Sequence, residues 1–213
     1  MISKLDVSHG IAGFLLANGA LNDPDEYGIR KQLIENDKIE AIIVLPREMF
    51  YTTDISVTLW IVNMNKKACS YNGRQLRNRT NEILFMDLRR WDENIEEIVI
   101  DKGKKKKKTV LTDEQIAKVK SVYSNWQDVN TDLYEDVPEF CRSVTLDGEN
   151  GLRDNDYALT PSNYIEFIDH DMEIDFKKEM ARIQTEMCEV MRSEKESQQM
   201  LVEAFRGIGY GIE

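Results

Sequence analysis

The apolar positions of the chain fall into four short runs toward the amino end and one long periodic stripe toward the carboxyl end. Gly10–Leu16 (GIAGFLL) is apolar throughout and too short for an amphipathic helix, which predicts a strand buried on both faces. Ala17-Asn18-Gly19 ends it as a turn. Asp23-Pro24-Asp25-Glu26 then supplies a capping acid, a proline at the first helical position and a glutamate three residues after the cap. A helix is predicted there, with Ile29, Leu33 and Ile34 on one face and an end near Asn36-Asp37. Ile39–Leu45 (IEAIIVL) predicts a second buried strand ending at Pro46. Strand, helix and strand joined by short connections predict a right-handed parallel βαβ unit. A third strand, Val57–Met64, follows the turn-like Thr52-Thr53-Asp54, and a fourth, Ile83–Asp87, follows a polar stretch. The loop between the second and third strands is short, so those two are predicted to be antiparallel neighbours.

Further on the pattern changes. Thr112-Asp113-Glu114 caps a helix over about residues 114–125, and an irregular acidic segment runs to about Ile168. Residues from Met172 to Phe205 read as one long helix. Within it Phe176, Met180, Ile183, Met187 and Val190 are spaced four, three, four and three, and Leu201, Ala204 and Ile208 resume the phase after polar Glu194 and Ser197. That is a coiled-coil or bundle seam with a polar break. The stripe needs a cover, and the chain offers few other helices of matching length, which favours a docking arm for another subunit over folding back. Methionines 172, 180, 187, 191 and 200 suit such an adaptable interface. Gly207, Gly209 and Gly211 follow no strand and read as the helix stop.

Composition narrows the class. With 213 residues, 41% hydrophobic and 31% charged, the chain is globular rather than disordered. No apolar stretch approaches the ~20 residues of a membrane span and no secretory leader opens the sequence, so no membrane partner and a cytoplasmic location are expected. Cys69, Cys141 and Cys188 stand far apart and only His9 and His170 could join them, so no metal site is expected. The net charge of -11 is unevenly distributed: residues 1–108 hold 18 basic against 16 acidic residues, whereas residues 109–213 hold 10 against 23. The front part can touch phosphate; the acidic back part suits protein or water.

No glycine-rich turn follows a strand and opens a helix, and no nucleophile, HExxH or paired-carboxylate motif is present. Read alone, the chain contains no complete active site. A parallel sheet built from two strands would also be small, with a buried-type strand at an open edge, which points to the later part of a larger α/β domain.

Specific segments carry a resemblance. GFLLANGAL at Gly13–Leu21 and IRKQLIENDKIEAIIVLPREMFYTTDISVTLWIV at Ile29–Val62 are similar to the later half of the modification subunit of type I restriction enzymes, an adenine-N6 DNA methyltransferase that uses S-adenosylmethionine. NDYALTPSNYIEF at Asn155–Phe167 resembles the segment after that family's catalytic domain, and LVEAFRGIGYG at Leu201–Gly211 the end of its C-terminal helix. The family's glycine-containing cofactor turn and Asn-Pro-Pro-aromatic loop lie upstream of this region; the prolines here are Pro24, Pro46, Pro138 and Pro161, with no Pro-Pro pair.

The resemblance therefore implies a C-terminal portion of such a subunit, with Met1 an artificial start. The implied fold is α/β: a partial doubly wound, methyltransferase-like sheet over residues 1–100, a basic linker with a helical and irregular acidic segment over 101–168, and a long helical arm over 169–213. It implies no catalytic group in this chain, no bound S-adenosylmethionine and no methyl transfer by the chain alone. The implied partners are the specificity subunit, on which the stripe of Phe176, Met180, Ile183, Met187, Val190 and Leu201 docks, the restriction subunit and double-stranded DNA. The rival reading is a stand-alone interaction module without a catalytic parent; an upstream in-frame Asn-Pro-Pro-aromatic segment in the genome would decide against it. Either way, an open sheet edge and an uncovered helix lead to self-association.

Parallel strands end on one rim, where open α/β sheets place ligands, so Asn18, Phe50 and Thr53 are candidate site residues. In the family the loops on this rim flank the pocket for a base swung out of the duplex, which lets Phe50 or Tyr51 stack on it. Alternatively, Phe50 plugs the core and Asn18 only makes a turn. Lys66, Lys67, Arg74, Arg77 and Arg79 fall in a stretch without acids from Asn65 to Asn81 and form a candidate phosphate-contacting loop, the alternative being a solvated one. Lys102 and Lys104–Lys108 read as a mobile tether. Trp60 and Trp91 read as packing residues, and Tyr157 and Tyr164 as a clamp around Pro161.

Overall fold

The computed structural model describes residues 2–51, 53–99, 105–168, 176–207 and 209. Lys102, Lys104, His170, Met172, Ile208 and Gly211, as well as Thr52 of the turn after the second run, lie outside the described residues. Two compact units result, Met1–Ile168 and Asp169–Glu213.

In the first unit, β1 (Ile11–Ala17), β2 (Ile39–Val44), β3 (Val57–Asn63), β6 (Glu82–Asp87) and β9 (Cys141–Thr145) form one sheet in the order β1-β3-β2-β6-β9. β3 is antiparallel to both β1 and β2, β6 is parallel to β2, and β9 is antiparallel to β6. The mixed α/β sheet and the long helix agree with the expected class. The antiparallel pairing of β2 with β3 also agrees with the short loop between them.

Two expectations need correction. β1 and β2 run in the same direction but are not neighbours, because β3 inserts between them. β1 is not buried on both faces: Ile11, Leu15 and Leu16 are 38–48% exposed. The cause is position, since β1 has β3 on one side and no sheet partner among the described residues on the other. β2, by contrast, is buried at all six positions, as its uninterrupted apolar run requires.

Alternation along β2 splits the core in two. Ile42 and Val44 join Trp60, Phe85, Leu152, Leu159 and Tyr164 on one face, while Ala41 and Ile43 join Leu84, Met86, Trp126 and Phe140 on the other. Each fully buried side chain of this kind stabilises the fold by about 1.5–3 kcal/mol relative to exposure. α1 (Tyr27–Glu35) covers the first face through Ile34 and Leu33, whereas Ile29 stays exposed. It is preceded by a 3-10 turn, Pro24–Glu26, whose first amide is capped when Asp25 N donates to the Asp23 carboxylate at 3.0 Å. α2 (Asp113–Gln127) covers the second face and starts with a reciprocal capping box between Thr112 and Gln115.

The segment read as irregular is better ordered than its polarity suggests. β9 lies within it, and Leu146, Leu152, Leu159, Tyr164 and Ile165 are core residues, so residues 105–168 share both cores with residues 1–99. The Tyr157 hydroxyl donates to Glu35 and the Tyr164 hydroxyl to Ala158 O, while the Tyr164 ring stacks on Phe85 at 4.6 Å. Two small hairpins complete the unit: β4 (Cys69–Tyr71) with β5 (Arg74–Leu76), and β7 (Ile95–Val99) with β8 (Lys105–Thr109). The lysine run is therefore a paired strand over Lys105–Lys108, not a tether.

The second unit contains α3 (Phe176–Gly207), none of whose residues is buried. Its stripe residues Phe176, Met180, Ile183, Met187, Val190 and Leu201 are all exposed. Gly209, at φ +86°, donates its amide to Arg206 O and closes the helix end. No helix among the described residues is long and apolar enough to cross a membrane.

Candidate functional site at the carboxyl rim of the sheet

Because β1, β2 and β6 run in the same direction, their carboxyl ends share one rim. Asn18 lies in the segment that follows β1 there, and Phe50, Tyr51 and Thr53 in the one that follows β2. Asn18 is half-buried and its amide is fixed at both ends: Nδ2 donates to Ser56 Oγ at 3.2 Å, and Oδ1 accepts from Thr58 Oγ1 at 2.7 Å. Ser56 Oγ in turn donates to Leu45 O at 2.6 Å, so the start of β3 and the ends of β1 and β2 are tied through one amide.

The loop of residues 46–56 closes on itself where Glu48 N donates to Asp54 O at 3.3 Å. Thr53 Oγ1 accepts from Ile55 N within it. Tyr51 is 62% exposed, whereas Phe50 is half-buried. The loop is also held from outside: Thr109 N donates to Glu48 O at 3.0 Å, and Lys106 Nζ donates to Phe50 O at 3.3 Å and Tyr51 O at 3.1 Å. Sequence reading missed this support, because lysines in a row carry no sign of which of them is turned inward.

Asp87, at the end of β6, adds an acidic group to the same rim. It accepts from Arg89 Nε at 2.9 Å and from Arg89 Nη2 at 2.5 Å. The Asp87 carboxylate raises the Arg89 guanidinium above its ordinary value. Asp87, Arg89, Arg90, Glu139 and Phe167 line a cavity of about 300 Å³. This group, too, had no motif to announce it.

The basic stretch is a correction. Lys66, at the amino end of β2 and so away from the rim, is buried; its Nζ donates to Asp37 Oδ1 at 2.6 Å, Ile39 O at 2.8 Å and Glu82 O at 2.6 Å. Burial pulls its ammonium below the ordinary lysine value, with Asp37 opposing. Arg79 is fully buried and donates to Glu40 at 3.0 Å, and Glu40, itself buried in β2, also accepts from Gln127 and Asn63. Arg77 spans Glu82 and Trp126 O, and Arg74 donates to Ser124 O. Four of the five candidate phosphate contacts thus have partners within the fold; for Arg79 the cause is Glu40, since an acid within a buried strand demands a cation and hydrogen-bond donors. Lys67 is exposed.

A second cavity, of about 460 Å³, opens at that opposite end over Ile11, Gly13, Leu59 and Ile61 and beneath Tyr71 and Arg74. Among the described residues no group of three or more His, Cys, Asp or Glu could hold a metal ion. The residues present do not fit S-adenosylmethionine either. The rim ends of β1, β2 and β6 lead into a 3-10 turn, the 46–56 loop and Arg89, none of them a glycine turn opening a helix.

The fold is an open α/β sheet at whose carboxyl rim Tyr51 presents an exposed ring and Asn18 ties the strand ends together. The chain belongs to the N-6 DNA Methylase family, whose profile matches residues 1–173. It is 28% identical over 205 residues to the type I restriction enzyme HindI methylase subunit of Haemophilus influenzae, which covers 95% of this chain and 41% of that protein. It is 32% identical to the MjaVII methylase subunit of Methanocaldococcus jannaschii over 86% of this chain and 27% of that protein. Among solved structures, the type I restriction-modification methyltransferase subunit from Streptococcus thermophilus superposes with a TM-score of 0.52 at 26% identity, over 75% of this chain and 27% of that one. The chain thus spans well under half the length of these relatives.

Proposed function

We propose that the chain is the C-terminal portion of the modification subunit of a type I restriction-modification system, part of an S-adenosylmethionine-dependent adenine-N6 DNA methyltransferase acting in the cytoplasm. The observation that carries this reading is the family match over residues 1–173 on a chain whose first strand is the edge of the sheet, with no partner on its outer side among the described residues. In this reading the remainder of the subunit supplies the cofactor turn and the Asn-Pro-Pro-aromatic loop, and the present chain supplies sheet scaffold and the DNA-facing rim. Tyr51, the more exposed of the two rim aromatics, together with Phe50, flanks the base swung out of the duplex, and Asn18 and Thr53 shape the loop ends. Lys67 is the phosphate contact that remains available in its segment. The α3 stripe docks on the specificity subunit, and the restriction subunit completes the assembly.

Transfer of labelled methyl groups from S-adenosylmethionine to DNA tests the reading. The expected result is incorporation by the intact subunit with its specificity partner and none by this chain alone. Incorporation by the chain alone, or its absence from the intact assembly, overturns it. Base–aromatic stacking contributes about 1–3 kcal/mol, so Tyr51→Ala or Phe50→Ala in the intact enzyme should lower kcat/KM by roughly 5- to 150-fold. Unchanged kinetics in both variants removes the stacking role.

A further inference from the structure

The four lysines of β8 look interchangeable in the sequence, but the strand's alternation gives them two different settings. Lys105 and Lys107 are exposed, and Lys105 pairs with exposed Glu97 across the hairpin at 3.0 Å. Lys106 and Lys108 are half-buried and engage the 46–56 loop. Lys106 Nζ meets Phe50 O, Tyr51 O and the Asp54 carboxylate, the last at 2.5 Å, with its side chain only 17% exposed. An ammonium has three donors, and here each has an acceptor in one loop. Lys108 Nζ lies 5.0 Å from the centroid of the Tyr51 ring, within range of a cation–π contact. Thr109, the last residue of the strand, is buried and bonds to Glu48 O.

The loop needs such support. Among the described residues between Glu48 and Asp54 the loop closes through a 3.3 Å contact of Glu48 N with Asp54 O, and Glu48 sits at φ +60°, a left-handed conformation uncommon for a residue with a side chain. Among the described residues, the hydrogen bonds to the Phe50 and Tyr51 carbonyls come from a strand more than fifty residues later.

We propose that β8 is the positioning strand of the rim loop, with Lys106 as its positioning residue, fixing the Phe50–Tyr51 backbone so that the Tyr51 ring is presented in one orientation to a heteroaromatic base. The loop shape rests on the geometry alone; the base as the ligand rests on the methyltransferase reading. Lys106 touches no reacting atom and acts through Tyr51 and Phe50.

Two measurements separate the parts. In this chain, Lys106→Met should raise amide hydrogen exchange in peptides spanning residues 48–55 by about tenfold or more, while peptides from β2 and β6 keep wild-type protection. Lys107→Met should leave the whole pattern unchanged, Lys106→Arg should restore part of the protection, and Asp54→Asn, which retains both carbonyl bonds, should give a smaller rise. Wild-type exchange in both Lys106→Met and Asp54→Asn overturns the latch. In the intact enzyme, Lys106→Met should lower kcat/KM for DNA by roughly tenfold or more, with the KM for S-adenosylmethionine unchanged and Lys106→Arg recovering activity. Faster loop exchange with wild-type DNA kinetics overturns the positioning role, leaving a purely structural contact. An intact wild-type enzyme with no methyl transfer overturns the functional reading and the base as ligand, while the exchange result still decides the latch.

Discussion

At the scale of single residues, the strongest commitments in this protein are internal charges. Glu40, buried in β2, holds Arg79 at 3.0 Å, Gln127 at 3.0 Å and Asn63. Removing one member of a buried pair leaves the other without its counter-charge, so Glu40→Ala should cost about 3–5 kcal/mol in urea denaturation. A loss near the ordinary value for a surface substitution would show that water reaches Arg79. Glu35 behaves differently. Hydrogen bonds from Arg153, then from the Tyr157 hydroxyl, hold its carboxyl at about 2, well below 4.5. A depressed carboxylate stabilises the fold above its unfolded value and loses that contribution as pH falls toward its folded one. The urea midpoint should therefore decline from pH 4.5 toward pH 2, and Glu35→Gln should flatten that part of the decline. The sequence held a usable signal for the Glu40 cluster, an acid inside IEAIIVL, but not the identity of its partners, which come from residues far along the chain.

At the scale of elements, what was legible depended on whether the determining interaction is local. The helix start at Thr112 rests on a local capping box and stands in the structure as read, whereas Asp23-Pro24 caps a 3-10 turn and the α-helix itself begins three residues later at Tyr27. The strands of uninterrupted apolar character were found within a residue of their ends. The β4–β5 hairpin escaped notice although its two-residue turn, Asn72-Gly73, is a strong local hairpin signal; both residues have positive φ, 49° and 78°. β9 and β8 were illegible for a physical reason: CRSVT and KKKKT have no continuous apolar face, and β9 pairs with β6 from more than fifty residues away. α3 was legible in period, and its exposed stripe carries its own prediction. At micromolar concentration the chain should sediment larger than a monomer, and Ile183→Glu combined with Met187→Glu should shift it toward monomer. Monomeric sedimentation of the unaltered chain would mean that the stripe is covered internally.

At the scale of the whole molecule, both hydrophobic cores lie within Met1–Ile168, the unit that also carries the rim. A polypeptide ending at Ile168 should accordingly keep one cooperative thermal transition near that of the full chain. Loss of that transition would show that residues 169–213 are needed to complete the cores. The family could be recognised from segments spread along the chain, but the strand order could not. Antiparallel insertion of β3 between two parallel strands is a decision of the sheet as a whole, not of any one run.

The open border of β1 has an optical consequence. Phe14 of β1 stacks on Trp60 of β3 with ring centroids 6.2 Å apart, and Trp60 Nε1 is buried without an acceptor among the described residues. The other two tryptophans, Trp91 and Trp126, belong to the opposite face of the sheet. Any polypeptide that annealed along that border would change the surroundings of one indole and leave the other two as constant background. Tryptophan emission at 295 nm excitation, a wavelength chosen to spare tyrosine, with Trp91→Phe and Trp126→Phe as controls, would then time the arrival without an added dye.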